Sequence, residues 1–252
     1  MSASAVTREL PVRQIHDIVR PSRLLLSWQP PDGTRSRLVV GELLPPMPGS
    51  SAIFRYLANT PDFREAVKRQ FTGYPAFRLG IVEHRSHVLG VFMARLPSRN
   101  RADFPEFLRH HRLPQKEIAD YELLTYTGAR LPGDSFELIP DFNANALRLQ
   151  LIMEASGFRH QSVDPSTLAV GDPVQLLGEP QNPHDRHAVA MLANEVRIGY
   201  VNRVISPRFS KWIVERTVIA EIDRIDARSD RPAVYVFVSV SPTSVGGRLT
   251  NI

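Results

Sequence analysis

The sequence predicts two domains, an α+β N-terminal domain followed by a small β-barrel with one or two helices. The chain has 252 residues, which is enough for two ordinary domains. The first part mixes strand-like and helix-like runs, whereas the second has six strand-like runs separated by glycine, proline and asparagine clusters. The 21 prolines favour many short elements over long helices. We place the domains at residues 1–145 and 146–242, followed by a mobile tail at 243–252.

The N-terminal domain combines a hairpin with several helices. In order, the predicted elements are strands at residues 23–29, 36–44 and 52–57, a helix at 60–71, a buried strand at 87–97, helices at 104–111 and 114–129, and a strand at 134–141. The first two strands flank the turn sequence PPDG. Thr60 followed by Pro61 marks a helix start, as does Asp103 with a glutamate three residues later. The segment 87–97 is apolar enough for a buried strand, and the last helix ends at Gly128.

The C-terminal domain consists mainly of strands. Its predicted elements are strands at residues 147–155, 172–180, 187–193, 196–202, 217–225 and 233–240, and a helix at 206–216. Ser206 is a candidate helix cap with Pro207 following it. Phe209, Trp212 and Ile213 recur at helical spacing, which indicates a face packed into the core. Six short strands with one helix are typical of a small barrel.

Composition excludes several classes of protein. Cysteine is absent, which excludes disulfides, thiolate nucleophiles, iron–sulfur clusters and cysteine-based zinc sites. No apolar run approaches the roughly 20 residues that span a bilayer, and the start MSASAVTREL lacks the features of a signal peptide. We therefore expect a cytoplasmic protein with no membrane partner. The net charge is +5, and a basic strip runs from Arg197 to Arg216. Such a strip fits nucleic-acid contact or a solvated face.

The densest cluster of unusual residues is GEPQNPHDRHAVAM at 178–191, followed by IGYVNR at 198–203. Asn182, Pro183 and Asp185 suit a structural turn, because short polar side chains bond to the backbone and proline fixes the chain direction. A functional interpretation is equally open at this point. His184, Asp185, Tyr200 and Arg203 would then line a polar pocket suited to the end of a single-stranded nucleic acid.

At these residues the sequence resembles the HIRAN domain family. The resemblance runs from residue 149 to about residue 240 and is carried by GFRH at 157–160, EPQNPHDRHAVAM at 179–191 and GYVNR at 199–203. Gly178 departs from the pattern, since arginine is frequent there. The resemblance implies a small OB- or SH3-like barrel that holds the 3′-hydroxyl end of single-stranded DNA.

The same resemblance implies roles for individual side chains. Arg159 and Arg203 fall on cationic phosphate contacts, and Asp185 falls on the carboxylate that receives the terminal 3′ hydroxyl. Asn182 matches the loop residue that shapes the pocket. The rings are retained but rearranged, because two histidines replace stacking tyrosines and a tyrosine replaces a histidine. The candidate DNA-binding residues are therefore Arg159, His160, Asn182, His184, Asp185, Tyr200 and Arg203.

The N-terminal domain resembles the N-terminal subdomain of HipA-type toxin kinases. The resemblance rests on the VVGELL hairpin, FPEFLRHHRLP at 104–114 and YELLTYTGARLPGDSFELIP at 121–140. Ser135 and Phe136 replace a glycine and an alanine of that pattern. The alternative is an unrelated α+β domain whose LLxxxG is a helix with a glycine cap.

Catalytic motifs are not found in the sequence. It contains no GxSxG, HExxH, GxGxxG or Walker loop, and no metal-binding asparagine follows HDR at 184–186 as in a kinase. We therefore expect a protein without catalytic activity, cofactor or metal, which binds single-stranded DNA preferentially at its 3′-hydroxyl end. Its N-terminal domain would be a protein-interaction module. The alternative is an accessory or antitoxin subunit that binds and regulates a separately encoded HipA-like serine/threonine kinase toxin.

Overall fold

The computed structural model describes residues 13–33, 37–131, 134–228 and 231–243. The predicted tail therefore lies outside the described residues apart from Thr243. In chain order the elements are β1 (Arg23–Trp28), β2 (Leu38–Leu44), β3 (Ile53–Tyr56), α1 (Pro61–Lys68), α2 (Val88–Met93), α3 (Phe104–His110), α4 (Asp120–Thr127), β4 (Phe136–Asp141), β5 (Leu149–Glu154), β6 (Val174–Gly178), β7 (Val189–Ala193), β8 (Val196–Tyr200), α5 (Ser206–Glu215), β9 (Arg216–Asp226) and β10 (Ala233–Pro242).

The N-terminal part, up to residue 145, contains one antiparallel sheet in the order β3-β2-β1-β4. The predicted β1–β2 hairpin is present. Leu24, Phe54 and Phe92 are fully buried in the core between this sheet and the helices. Thr60 caps α1 as predicted, since its hydroxyl accepts a hydrogen bond from the Phe63 amide.

Two predictions about this part are wrong. Residues 87–97 do not form a strand, because Val88–Met93 is the helix α2. Val88 and Phe92 are buried four residues apart, but the half-buried positions between them are also apolar, so the sequence hides the helical period. The helix predicted over 114–129 begins only at Asp120, because Ala119 has an extended backbone with φ of −64° and ψ of 155°. It ends at Gly128 in the left-handed conformation, as predicted.

The C-terminal part, from residue 146, contains two three-stranded antiparallel sheets in the orders β5-β10-β9 and β6-β7-β8. Single bridges join the sheet edges, one between Ser156 and Tyr200 and one between Pro173 and Glu221. The six predicted strands are thus present, but in the described residues they do not form a continuous closed barrel. Helix α5 packs against the strands through Phe209 and Trp212, which are core residues as predicted.

The two parts share apolar and polar contacts. One buried cluster combines residues of the N-terminal part with Phe237 of β10, and its N-terminal members are Ile15, Phe104, Leu108, Leu113, Ile118 and Leu123. The Arg112 guanidinium donates to a carboxylate oxygen of Asp223 at 2.6 Å, and the Asp223 side chain is almost fully buried. The indole N–H of Trp212 donates to the carbonyl of Ala144 at 3.2 Å. These contacts hold the C-terminal part, which carries the candidate DNA-binding residues, against the N-terminal part.

Candidate nucleic-acid interface

The loop between β6 and β7 is organised by Asn182. Its side-chain oxygen accepts hydrogen bonds from the amides of His184 at 3.0 Å and Asp185 at 3.3 Å. Its amide nitrogen donates to Glu179 at 2.9 Å. The predicted side-chain-to-backbone turn is therefore present. Asn182 shapes the loop through these bonds, while the His184 side chain is exposed.

Asp185 connects this loop to the start of α5. One carboxylate oxygen accepts from the His187 amide at 2.8 Å, and the other accepts from the Ser206 hydroxyl at 2.9 Å. Ser206 is fully buried, and its hydroxyl also lies 3.2 Å from the carbonyl oxygen of Arg203. Each carboxylate oxygen has two acceptor sites, so these two bonds leave acceptor capacity on the half-buried Asp185.

Glu179 joins the loop to β8. Besides Asn182, it accepts from the Tyr200 hydroxyl at 3.2 Å and pairs with Arg197 at 2.6 Å. The Arg197 guanidinium also lies over the Tyr200 ring, 5.2 Å from its centroid. Burial raises the pKa of the Tyr200 hydroxyl above its usual value; Arg197 opposes this rise and Glu179 adds to it. Tyr200 is therefore held in place by a carboxylate and a cation.

Arg159 and His160 lie on a short 3₁₀ turn, Phe158–His160, that packs against β8. The backbones of Ser156 and Tyr200 exchange hydrogen bonds of 2.8 and 3.0 Å just before this turn. Both side chains on the turn are exposed, and the Arg159 guanidinium donates to the His160 ring at 3.2 Å. A cation and a ring therefore stand at the surface beside the strand of Tyr200.

Arg203 is exposed but has a partner in the N-terminal part. Its guanidinium donates to both carboxylate oxygens of Asp62 on α1, at 3.1 and 3.4 Å. Asp62 also accepts from the Val39 amide at 3.0 Å. The cation that the resemblance assigns to a phosphate is therefore paired with a carboxylate in this structure.

The structure connects some of the predicted residues and leaves others apart. Asn182 and Asp185 bond directly, Tyr200 joins them through Glu179, and Arg203 joins them through Ser206. The sequence interpretation did not place Glu179, Arg197, Ser206 or Asp62 in the site. Ser206 was predicted as the helix cap, but the N-cap of α5 is Ile205, and the Ser206 hydroxyl donates to Asp185 instead. Glu179 and Arg197 stand within or next to the quoted motifs, so their charge was a usable signal.

Chemically, this site offers one carboxylate acceptor, an amide, rings and several cations on short loops. No group of three or more histidine, aspartate or glutamate side chains that could hold a metal occurs in the described ranges. None of the helices in those ranges is long and apolar enough to cross a membrane. Fold and site together define a β-rich part that carries a cluster of polar side chains on short loops, attached to an N-terminal sheet-and-helix part.

The comparisons with known proteins agree with this description for the C-terminal part. The model of the family described as HIRAN domain matches residues 150–242, which confirms the resemblance found in the sequence. The chain is also similar to a crystal structure of the HIRAN domain of human HLTF, with 12% identity, 38% of this chain and 83% of that chain covered, and a TM-score of 0.30. A protein from Lactobacillus plantarum matches with 17% identity, 37% and 96% coverage, and a TM-score of 0.31.

None of the curated proteins matches the chain significantly. No match supports the HipA-type resemblance of residues 1–145, which stays a prediction.

Proposed function

We propose that the protein binds single-stranded DNA, preferentially at a free 3′-hydroxyl end, through residues 150–242 and without catalysing a reaction. The observation that supports this most is the position of Asp185. Its carboxylate is held from two sides, by the His187 amide and the Ser206 hydroxyl, and retains acceptor capacity. A hydroxyl can donate to such a carboxylate, whereas a phosphate cannot.

The surrounding charges fit a strand that ends at Asp185. Arg159 and Arg203 are exposed cations, and a DNA backbone presents one phosphate for each nucleotide. His160, His184 and Tyr200 supply rings on which bases can stack, which contributes about 1–3 kcal/mol per base in single-strand binders. The match to the HIRAN domain family supports the same substrate class.

The proposal is tested with the full chain and a 5′-labelled single-stranded oligonucleotide, by fluorescence anisotropy. A linear unlabelled strand should displace the label, whereas a circular single strand of the same sequence and a blunt duplex should compete much less well. Equal competition by linear and circular strands would contradict end recognition. Equal competition by the duplex would contradict single-strand binding.

We also propose that the N-terminal part contacts a protein partner. Leu79, Ile81 and Val82 are exposed on one loop, and Val82 is 84% exposed. A partner protein that co-purifies with the parent from the native host should no longer co-purify with the variant Val82→Asp. DNA binding should be unchanged in this variant. Retention of every partner by this variant would exclude the loop as the contact.

A further inference from the structure

A cleft of about 480 Å³ lies between the two parts of the chain. It adjoins the proposed DNA site: neither Asp185 nor Arg203 lines it, but His187, whose amide donates to Asp185, does. One wall comes from the N-terminal part and includes Leu25 and Pro140, whereas the other comes from α5 and the residues before it. We propose that this cleft binds a small organic anion with a flat apolar body, of about the size of a nucleoside monophosphate.

The inner surface of the cleft is apolar. Phe142, Leu151, Phe209 and Trp212 contribute to it, and all four belong to one buried core cluster that consists mainly of C-terminal residues. The polar atom of Trp212 is already used, because its N–H donates to Ala144. Small-molecule sites are typically apolar clefts of 300–1,000 Å³ with a few polar groups. Such a surface favours the apolar portion of a ligand over water.

The rim of the cleft carries an excess of positive charge. Arg186, Arg208 and Lys211 line it, and Asp141 is its one carboxylate among the described residues. Asp141 already pairs with Arg208 at 3.2 Å and with Arg23 at 2.9 Å. The negative charge of Asp141 is therefore neutralised by Arg23 and Arg208, and not by Arg186 or Lys211.

Arg186 and Lys211 are the cations that are open to a ligand. Both are exposed, and neither forms an ion pair with a carboxylate in the described part of the chain. The Arg186 guanidinium donates only to the ring of the adjacent His187, at 3.1 Å. Two cations beside an apolar surface complement one anionic group attached to an apolar body. This charge complementarity selects an amphipathic anion over a neutral or cationic ligand.

The test uses 8-anilinonaphthalene-1-sulfonate as the probe, because it joins a sulfonate to flat apolar rings. The folded full chain should bind it at one saturable site with a rise in fluorescence. The double variant Arg186→Glu/Lys211→Glu should bind it at least about tenfold more weakly, since two charged contacts are reversed. The control Arg109→Glu/Lys116→Glu changes the net charge equally at exposed positions outside the cleft and should bind as the parent does.

Competition identifies the source of the anion. Displacement of the probe by adenosine monophosphate indicates a nucleotide, and displacement by 2-naphthoate indicates an aromatic carboxylate; either result supports the proposal. Absence of saturable probe binding, equal loss in both double variants, or displacement by neither competitor would overturn it. Near-ultraviolet circular dichroism of each variant establishes that it is folded, so that weak binding is attributable to the cleft.

Discussion

Arg203 and Asp62 are 141 positions apart in the sequence, yet the Arg203 guanidinium donates to both carboxylate oxygens of Asp62. The pair links the loop before α5 to the first turn of α1. Because Arg203 is a proposed phosphate contact, Asp62 occupies the position that a DNA phosphate would take. If Arg203 contacts a phosphate as proposed, the N-terminal part would compete with DNA for this cation.

The variant Asp62→Asn should bind single-stranded DNA more tightly than the parent. Exposed ion pairs contribute up to about 1 kcal/mol, so the gain should be no more than about fivefold at low salt. Asparagine keeps an oxygen that can accept from the Val39 amide. The control is Glu65→Gln on the same helix, which removes a charge that pairs with Arg69 and Lys68 instead. An equal gain in both variants would show a general charge effect rather than release of Arg203.

Arg203→Ala should weaken binding to all single strands and flatten its salt dependence by roughly one counterion. The measurement is the slope of the logarithm of affinity against the logarithm of salt concentration. Lys116→Ala, an exposed cation outside the candidate site, should leave the slope unchanged. The same slope for Arg203→Ala and the parent would remove Arg203 from the phosphate contacts.

Phe237 should couple the stability of the two parts. It is 2% exposed and packs in the cluster whose other buried members come from the N-terminal part. Phe237→Ala should lower the free energy of unfolding by about 3–5 kcal/mol. Ile219→Ala on β9 should have a small effect, because Ile219 is 57% exposed. Calorimetry should show one transition for the parent; two well-separated transitions would contradict a shared core.

His111 should make stability depend on acidity. Burial, together with the neighbouring His110 and Arg224, lowers its pKa to about 3 in the folded chain. The unfolded chain therefore takes up a proton near pH 6.5 that the folded chain refuses until about pH 3. Stability should fall as the pH decreases through this window, by at most about 1.4 kcal/mol per pH unit from this group.

The variant His111→Phe isolates this contribution. Its ring can still pack on Phe107, whose ring centroid lies 4.7 Å from that of His111. Urea unfolding between pH 4.5 and 7.5, a range of about three units around the unfolded pKa, should show a shallower slope for the variant. Parallel slopes for the two proteins would show that His111 takes up its proton at the same pH in the folded and the unfolded chain.

The sequence predicted most elements because their signals are local. Thr60 caps α1 through a residue three positions away, and Gly128 ends α4 because glycine adopts the left-handed conformation readily. The interpretation of residues 87–97 failed because an uninterrupted apolar run has no visible period. The predicted barrel is not closed in the described residues, because its two sheets meet only through single bridges such as Ser156–Tyr200, and no local pattern shows how sheet edges meet.

The candidate site was predicted only in its local part. The Asn182 turn follows from neighbouring residues, but the Asp185–Ser206 bond joins positions 21 apart. The Arg203–Asp62 pair depends on how the two parts pack, which no local pattern encodes. Long-range polar contacts thus determine which of the predicted side chains are available to a ligand.

The proposed contact between Asp185 and a 3′ hydroxyl can be separated from the structural role of Asp185 in the turn. In Asp185→Asn the side-chain oxygen can still accept from the His187 amide. Its new N–H₂ group can donate to the Ser206 hydroxyl, which is then able to donate to the Arg203 carbonyl. The variant should therefore remain folded while it loses the negative charge that would receive a 3′ hydroxyl.

The most direct test of end recognition compares the affinity of the parent protein for two single strands that differ only in a 3′ hydroxyl or a 3′ phosphate. A hydrogen bond to a charged group contributes about 1.5–3 kcal/mol, which corresponds to roughly 10- to 150-fold in affinity. We expect the 3′-hydroxyl strand to bind more tightly by that factor, and Asp185→Asn to lose much of the difference. Equal affinity of the parent for both strands would contradict the account.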